Sequence, residues 1–189
     1  HGADVVKNYF LNYNECVSND FVLSEGGGKL DLVSTDIRDW RVTFADTGTS
    51  SNIAQRLLGA RKYLGEDEVF LANYSDGLTD LPLDRQLEEF YKKDKIASCV
   101  IVPPHFSYHT ISTDSDGLAT NAQAISGSSL RVNGGYFILK RKIFDYIRPG
   151  EELVNEPFQR LIKEQQLIAH SYDGFWACMD TFKDKQTLD

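Results

Sequence analysis

The stretch "FLANYSDGLTDLPLD", residues 70–84, joins a short apolar run to an acidic turn. The apolar run, which begins one residue earlier at Val69, predicts a buried strand, and Ser75-Asp76-Gly77 supplies the turn that ends it. Asp76 therefore lies where a strand ends. In open α/β sheets, ligands bind beyond the carboxyl ends of the strands, so a carboxylate there can hold a metal or a substrate. The alternative is a turn aspartate that accepts a backbone N–H.

The segments around this stretch alternate between helix and strand. Apolar residues recur at helical spacing over 52–64 and predict a helix that leads into a strand at 68–73. A second helix is expected over about 84–94, with Asp84 as its cap. The apolar run "IASCVIVPP", residues 96–104, is typical of a strand in a sheet covered on both faces. This order predicts an α/β fold.

The remaining elements are predicted in the same way from periodicity and turn signals. Helices are expected at 3–12, near 141–147 and at 157–166, with Pro157 in a first turn; strands are expected at 20–24, 29–33, 41–45 and 134–140, and two short strands flank Asp173-Gly174. The glycine run at residues 26–28 lacks a following Lys-Ser/Thr, so we interpret it as a hairpin turn rather than a phosphate loop.

Two histidines four residues apart, His105 and His109, have a spacing that suits a metal on a helix. Pro103-Pro104 and the β-branched residues around them disfavour a helix there. We therefore interpret them as solvated loop histidines.

Composition limits the classes of function. A chain of 189 residues with 41% hydrophobic residues forms one domain with a substantial core, and no apolar run is long enough to cross a membrane. The net charge of -8 disfavours partners such as nucleic acid and anionic membranes. The three cysteines, Cys16, Cys99 and Cys178, form no CxxC pair and no disulfide framework, which indicates reduced, buried thiols in a cytoplasmic protein.

A second carboxylate, Asp180, follows the apolar segment "FWACM" at residues 175–179 and precedes Thr181, which can begin a helix. Asp76 and Asp180 are thus both expected at strand ends, where they can converge on one cation. Mg²⁺ prefers one or two carboxylates together with phosphate oxygens and water. Taken separately, each aspartate is better explained as a turn or cap residue.

Four segments resemble successive motifs of sugar-phosphate nucleotidyltransferases, and in particular of glucose-1-phosphate cytidylyltransferases. They are "DTGTSSNIAQRL", "FLANYSDGLTDL", "VNGGYFIL" and "NEPFQRLIKEQQLIAHSYDGFWACMDTFKDK". The resemblance spans most of the chain in the same order. The last segment is the most specific of the four.

The resemblance implies a Rossmann-like, three-layer α/β fold with a mixed, mostly parallel sheet, and transfer of CMP from CTP to glucose 1-phosphate with release of pyrophosphate. By this resemblance, the protein would bind a nucleoside triphosphate and a sugar 1-phosphate, and its cofactor would be Mg²⁺. Asp76 and Asp180 would ligate the metal, Asn133 and Gly134 would lie against the sugar, and Glu156 would accept from sugar hydroxyls. Without the resemblance, Asn133 reads as a turn residue and Glu156 as a helix-start carboxylate.

The chain also departs from the family pattern. The family's glycine-rich loop, Gly-Gly-x-Gly-Thr-Arg with a following Lys-Pro, is absent, as are the first two strands, so we expect residues 1–189 to be an N-terminally incomplete domain that starts inside a longer polypeptide. The family's Glu-Lys-Pro is replaced by "QAISGSSL", residues 123–130. A Gly-Gly-Arg near the nucleotide base appears as Ala54-Gln55-Arg56, in which Arg56 is the candidate substrate contact.

Two hypotheses follow. The first is an enzyme whose missing parts come from other sequence or another chain, for which the two aspartates argue. The second is a non-catalytic relative that binds a nucleotide or a sugar phosphate as an interaction module, for which the absent loop and lysine argue. Unpaired sheet edges need cover, so a homo-oligomer is also expected.

Overall fold

The computed structural model describes residues 2–104 and 108–188 of the chain. The helices are α1 (Ala3–Leu11), α2 (Glu15–Ser18), α3 (Ile53–Ala60), α4 (Leu83–Lys93), α5 (Glu156–Lys163) and α6 (Phe182–Leu188). The strands are β1 (Phe21–Ser24), β2 (Lys29–Leu32), β3 (Val69–Asn73), β4 (Gly77–Thr79), β5 (Ala97–Val102), β6 (His109–Thr113), β7 (Ala119–Ala124), β8 (Val132–Lys140), β9 (Leu167–Ser171) and β10 (Trp176–Cys178). Short 3-10 turns occupy Glu25–Gly27, Arg61–Tyr63, Ile125–Gly127 and Arg141–Tyr146.

A four-stranded mixed sheet in the order β3-β8-β5-β9 forms the centre of the protein. Strands β3, β5 and β9 run in one direction, and β8 runs antiparallel between β3 and β5. The carboxyl ends of β3, β5 and β9 therefore share one edge of the sheet with the beginning of β8. Asn73 is paired with Tyr136 and Ile101 with Asn133 at this edge.

Helices cover both faces of the central sheet. On one face, β8 places Phe137 and Leu139 in a core that also contains Ala54 of α3 and Leu161 of α5. On the other face, Ile138 and Ile168 of the sheet pack with Phe90 of α4, which is 0% exposed. The alternation along β8 follows from the twofold side-chain period of a strand. The predicted three-layer α/β fold is confirmed.

Among the described residues, three two-stranded units lie outside the central sheet. They are the hairpins β1–β2 and β6–β7 and the ribbon formed by β4 and β10. The ribbon pairs Gly77 with Cys178 and Thr79 with Trp176, which joins segments far apart in the sequence. In the described part of the chain, no helix is both long and apolar enough to span a membrane.

Most predicted elements are confirmed, but the strand expected at 41–45 and the cap expected at Asp84 are not. Residues 41–45 were expected to form a strand, yet they are irregular and pair with no described strand. Asp84 was expected to cap α4, but the helix starts after Pro82, which has no side-chain acceptor to offer. Asp84 therefore falls in the first turn, where a negative charge still interacts favourably with the helix dipole.

The histidine and cysteine predictions have mixed outcomes. His105 lies outside the described residues, and His109 begins strand β6 with an exposed side chain rather than lying in a loop. The three cysteines are free thiols. Cys99 is buried as expected, whereas Cys16 and Cys178 are only half-buried because they lie outside the central sheet.

Candidate functional site

The β4–β10 ribbon brings the two predicted metal-binding aspartates together. The turn after β3 carries Asp76, and the end of β10 leads through Met179 into Asp180. The Met179 N–H donates a hydrogen bond of 2.9 Å to the Asp76 carbonyl, which extends the ribbon by one step. Asp180 is therefore the direct neighbour of a residue that is hydrogen-bonded to Asp76.

A cysteine lies beside the Asp180 carboxylate. The Cys178 Sγ donates to Oδ2 of Asp180 at 3.1 Å. Partial burial, the hydrogen bond to Asp180 and the negative charges of Asp180, Asp184 and Asp76 together raise the pKa of the Cys178 thiol to about 11. The thiol is therefore protonated near neutral pH and is a hydrogen-bond donor rather than a nucleophile.

The donor set of this site suits a cation that also takes ligands from its substrate. Among residues 2–104 and 108–188, no group of three or more His, Cys, Asp or Glu side chains is arranged to hold a metal. Asp76 and Asp180 supply two carboxylates, which is the number that Mg²⁺ takes when phosphate oxygens and water complete its octahedron. Zn²⁺ is disfavoured because it prefers three or four histidine and cysteine ligands.

Asp184 fixes the chain immediately after Asp180. Its carboxylate accepts hydrogen bonds from the backbone N–H and the hydroxyl of Thr181, at 2.8 and 2.7 Å. These hydrogen bonds from Thr181 lower the pKa of Asp184. The reciprocal contacts form a cap at the start of α6 and hold Asp180 at the junction between β10 and this helix.

Gly134 allows the ribbon to approach the central sheet closely. The Trp176 indole N–H donates to the Gly134 carbonyl at 2.8 Å. A Cβ at position 134 would lie 3.3 Å from Nε1 of Trp176 and 3.3 Å from Cγ1 of Val102, so a larger residue would push the indole outward. Trp176 thereby ties β10, and with it Asp180, to the start of β8.

Asn133 lies beside Gly134 and contacts Tyr74, the residue two positions before Asp76. Its Nδ2 donates to the Tyr74 hydroxyl at 3.1 Å, and its Oδ1 accepts from the Gly135 N–H at 3.0 Å. Burial raises the pKa of Tyr74, the hydrogen bond from Asn133 opposes this rise, and the negative charges of Glu152 and Asp76 add to it. Asn133, Tyr74 and Asp76 therefore belong to one neighbourhood.

Arg56 borders the same neighbourhood from α3. A cavity of about 480 Å³ lies between α3 and the end of β3, and its lining includes Arg56, Tyr74 and Asp76. The Nε of Arg56 donates to the Ser51 carbonyl at 2.9 Å, which directs the guanidinium. Within the described ranges, its Nη atoms make no hydrogen bond and can serve an anion or a carbonyl.

The two residues that replace the expected Gly-Gly are held within the α3 structure. Ala54 is 0% exposed and is part of the core, so its methyl group is directed inward. Gln55 completes a capping box with Asn52, whose side chain also donates to the Glu151 carbonyl at 2.9 Å. Neither Ala54 nor Gln55 is among the residues that line the cavity.

Glu156 lies at the start of α5, outside the β4–β10 ribbon beside which the two aspartates lie. It is exposed at the start of α5, and its Oε2 accepts from the Glu152 N–H at 3.3 Å. In the part of the chain that the structure describes, no hydrogen bond joins it to Asn133. Its connection to the site runs through Glu152, whose charge acts on Tyr74.

The positive charge of Arg131, near the beginning of β8, is already neutralised by an ion pair. Arg131 directly precedes β8 and forms an ion pair of 2.8 Å with Asp173. The segment at 123–130, where the resemblance led us to expect a lysine, contains no basic residue. Arg56 is therefore the cation that lines the cavity beside Asp76.

Sequence patterns alone did not identify Tyr74, Trp176, Cys178 or Glu152 as parts of this site. Their contribution depends on contacts with distant strands and loops. The signal available in the sequence was position, because Tyr74 stands two residues before Asp76 and Cys178 two residues before Asp180. Residues so close to a strand-end carboxylate share its environment.

Comparison with known proteins identifies the family. No protein-family model matches the chain. A "Probable glucose-1-phosphate cytidylyltransferase" of Bacillus subtilis (strain 168) is 32% identical over 184 residues, which are 96% of this chain and 71% of the relative. The "Glucose-1-phosphate cytidylyltransferase" of Salmonella typhi is 28% identical over 186 residues, with coverage of 98% and 72%.

A solved structure shares the fold. It is a putative glucose-1-phosphate thymidylyltransferase from Bacillus anthracis in complex with a sucrose, and it superimposes with a TM-score of 0.54 at 15% sequence identity. The match covers 74% of this chain and 60% of that one, so the chain spans about three fifths of the length of that protein. From the identity to the Bacillus subtilis relative and the extent of that match, we conclude that the chain belongs to the sugar-1-phosphate nucleotidyltransferase family.

Proposed function

We propose that this chain carries out nucleotidyl transfer from CTP to glucose 1-phosphate. A phosphate oxygen of glucose 1-phosphate bonds to the α-phosphorus of CTP, and the bond from that phosphorus to the oxygen bridging to the β-phosphate breaks. Pyrophosphate leaves with the electron pair, and CDP-glucose forms. In phosphoryl transfer, catalysis is largely positioning and charge stabilisation, so no protein nucleophile is needed. The names of the curated relatives support the choice of CTP and glucose 1-phosphate.

The observation that carries this proposal is the pairing of Met179 with Asp76, which sets Asp180 beside Asp76 at the edge of the sheet. These two carboxylates would hold Mg²⁺. When bound, the ion neutralises charge on the phosphate oxygens and orients the attacking and leaving groups. Trp176 and Asp184 keep Asp180 in place from either side, through the Gly134 carbonyl and the Thr181 cap.

The other candidate residues bind the two substrates. Arg56 faces the cavity beside Asp76, where its Nη groups would donate to the nucleotide. Asn133 and Gly134 would lie against the sugar at the start of β8. Glu156 would accept from sugar hydroxyls with its side chain, which is exposed at the start of α5.

The test is release of pyrophosphate by this chain with CTP, glucose 1-phosphate and Mg²⁺. We expect Asp76→Asn and Asp180→Asn each to lower the rate by about 100-fold or more, because each removes charge stabilisation from the transition state. Asp145→Asn is the matched control, since Asp145 is an exposed aspartate in the turn after β8. Equal rates for all four proteins would exclude a catalytic role for the two carboxylates.

A second measurement tests the metal site without turnover. Mn²⁺ binding, followed by electron paramagnetic resonance, is expected in the unaltered chain and in Asp145→Asn. It should be weakened in Asp76→Asn and Asp180→Asn, because Mn²⁺ takes the same carboxylate ligands as Mg²⁺. Binding that survives both substitutions would place the metal elsewhere.

A non-catalytic relative is the second candidate function. The ion pair of Arg131 with Asp173 favours this function, because Asp173 already neutralises a cation near the end of β8 where the sugar would bind. In this case the chain binds glucose 1-phosphate or CTP but releases no pyrophosphate. Binding measured by calorimetry, together with the pyrophosphate assay, separates the two functions.

A further inference from the structure

The hydroxyl group of Tyr74 is held rigidly at the edge of the candidate site. The Tyr74 N–H donates to the Gly135 carbonyl at 2.8 Å. Its ring packs edge-on against Phe137, with centroids 5.4 Å apart, and lies over Gly135, where a Cβ would come within 2.7 Å of Cδ2. A ring fixed on these sides carries its hydroxyl to one place.

The hydrogen bonds around Asn133 determine which way its side-chain amide faces. Because the Gly135 N–H is a donor, the atom that it meets at 3.0 Å must be the amide oxygen Oδ1. The other end of the amide, Nδ2, is a donor only, and it meets the Tyr74 hydroxyl oxygen at 3.1 Å. Tyr74 therefore accepts this hydrogen bond.

The proton of the Tyr74 hydroxyl is consequently available. A phenol oxygen that accepts one hydrogen bond still carries a proton that can be donated. Among the residues that the structure describes, no acceptor for this proton is present. Because Tyr74 lines the cavity that also contains Arg56 and Asp76, its hydroxyl is placed where a bound ligand can supply the acceptor.

A charge near Tyr74 indicates which kind of acceptor its hydroxyl proton can meet. Glu152 acts on Tyr74 electrostatically, is negative, and is not one of the two carboxylates proposed to hold the metal. A phosphate group at the hydroxyl would face this charge, whereas a neutral hydroxyl oxygen would not. We propose that Tyr74 is a specificity-determining residue that donates a hydrogen bond to one hydroxyl oxygen of the sugar in the sugar 1-phosphate. This inference rests on the proposed function, because it assumes that a sugar 1-phosphate binds here.

The test compares binding of glucose 1-phosphate with binding of its monodeoxy analogues, each of which lacks one hydroxyl group. Calorimetry measures the affinities for the unaltered chain and for Tyr74→Phe, which keeps the ring. In the unaltered chain, loss of the accepting hydroxyl should weaken binding about fivefold, the value of one neutral hydrogen bond. In Tyr74→Phe, glucose 1-phosphate and that one analogue should bind equally, while the other analogues keep their ratios.

Tyr136→Phe is the matched control, because the Tyr136 hydroxyl already donates to the Gly77 carbonyl at 2.7 Å. It should retain the pattern of the unaltered chain across all analogues. A uniform loss of affinity for every analogue in Tyr74→Phe would mean that Tyr74 only supports Asn133, and would overturn the inference. An unchanged pattern in Tyr74→Phe would overturn it as well. If the unaltered chain binds no glucose 1-phosphate, the proposed function itself fails, and the inference with it.

Discussion

Substitution of Gly135 by alanine tests the close contact that holds Tyr74. Two costs are expected at this position. The backbone φ of Gly135 is +76°, in the left-handed region, where a side chain costs about 1–2 kcal/mol. The added Cβ would also lie 2.7 Å from Cδ2 and 2.9 Å from Cγ of Tyr74, so the ring must move, and such overpacking costs about 1–3 kcal/mol.

Gly150 provides a control with only the first of these costs. Its φ is +84°, and nothing lies within 4 Å of where a Cβ would be placed. We therefore expect Gly150→Ala to lower the free energy of unfolding by about 1 kcal/mol and Gly135→Ala by about 3 kcal/mol. For a chain of this size, each kcal/mol lowers the melting temperature by about 2–4 °C.

The assay is reversible urea unfolding, with thermal melts as a second measure. The difference between the two variants measures the steric cost at Tyr74, because the backbone cost is common to both. Equal destabilisation of Gly135→Ala and Gly150→Ala would refute the reasoning, since it would mean that the Tyr74 ring does not pack over Gly135. Gly135→Ala should also weaken binding of glucose 1-phosphate if Tyr74 contacts the sugar as proposed.

Three further results are expected from charge and burial. Alkylation of Cys178 should be slow at about pH 8, because a thiol with a pKa of about 11 is almost wholly protonated there. Asp180→Asn should accelerate the alkylation, because it removes one cause of the raised pKa. Mass spectrometry of the labelled peptide measures both rates. The Arg160 guanidinium lowers the pKa of Glu151, so this ion pair stabilises the fold above the ordinary carboxyl pKa and the effect is lost as the pH falls through the lowered value. Glu151→Gln should therefore lower the melting temperature at about pH 7, and this difference should shrink as the pH falls through the lowered pKa of Glu151. Amides of α1 and the β1–β2 hairpin should exchange with deuterium much faster than those of β5 and β8, since no residue of those outer elements is buried; similar rates for the two groups would contradict this.

Local sequence patterns predicted the fold where one segment carries its own signal. The apolar run of β5 and the periodic apolar residues of α3 and α4 are such segments, and the structure has all three elements. Strand β4 was missed because its three residues, Gly77–Thr79, become a strand only by pairing with β10. The strand expected at 41–45 has suitable residues but no partner in the described chain.

Some residues of the candidate site could likewise be predicted from the sequence, and others could not. Asp76 and Asp180 could be placed at strand ends from the sequence, because turn signals and apolar runs bracket them. The roles of Tyr74 and Trp176 could not be foreseen, since each depends on one backbone carbonyl of the Gly134-Gly135 pair in another strand. Predictions of ligand contact for Asn133, Gly134, Glu156 and Arg56 came from the family resemblance and remain predictions.

The β4–β10 ribbon also determines when, during synthesis, the Asp76 and Asp180 carboxylates can come together. Asp76 emerges from the ribosome early, but its partner strand, Trp176–Cys178, follows only after the whole central sheet has been translated. Contacts of such long sequence separation close late, because the intervening loop must first be ordered. If the pair holds a divalent ion as proposed, a nascent chain therefore cannot gain stability from that ion until β10 has been translated.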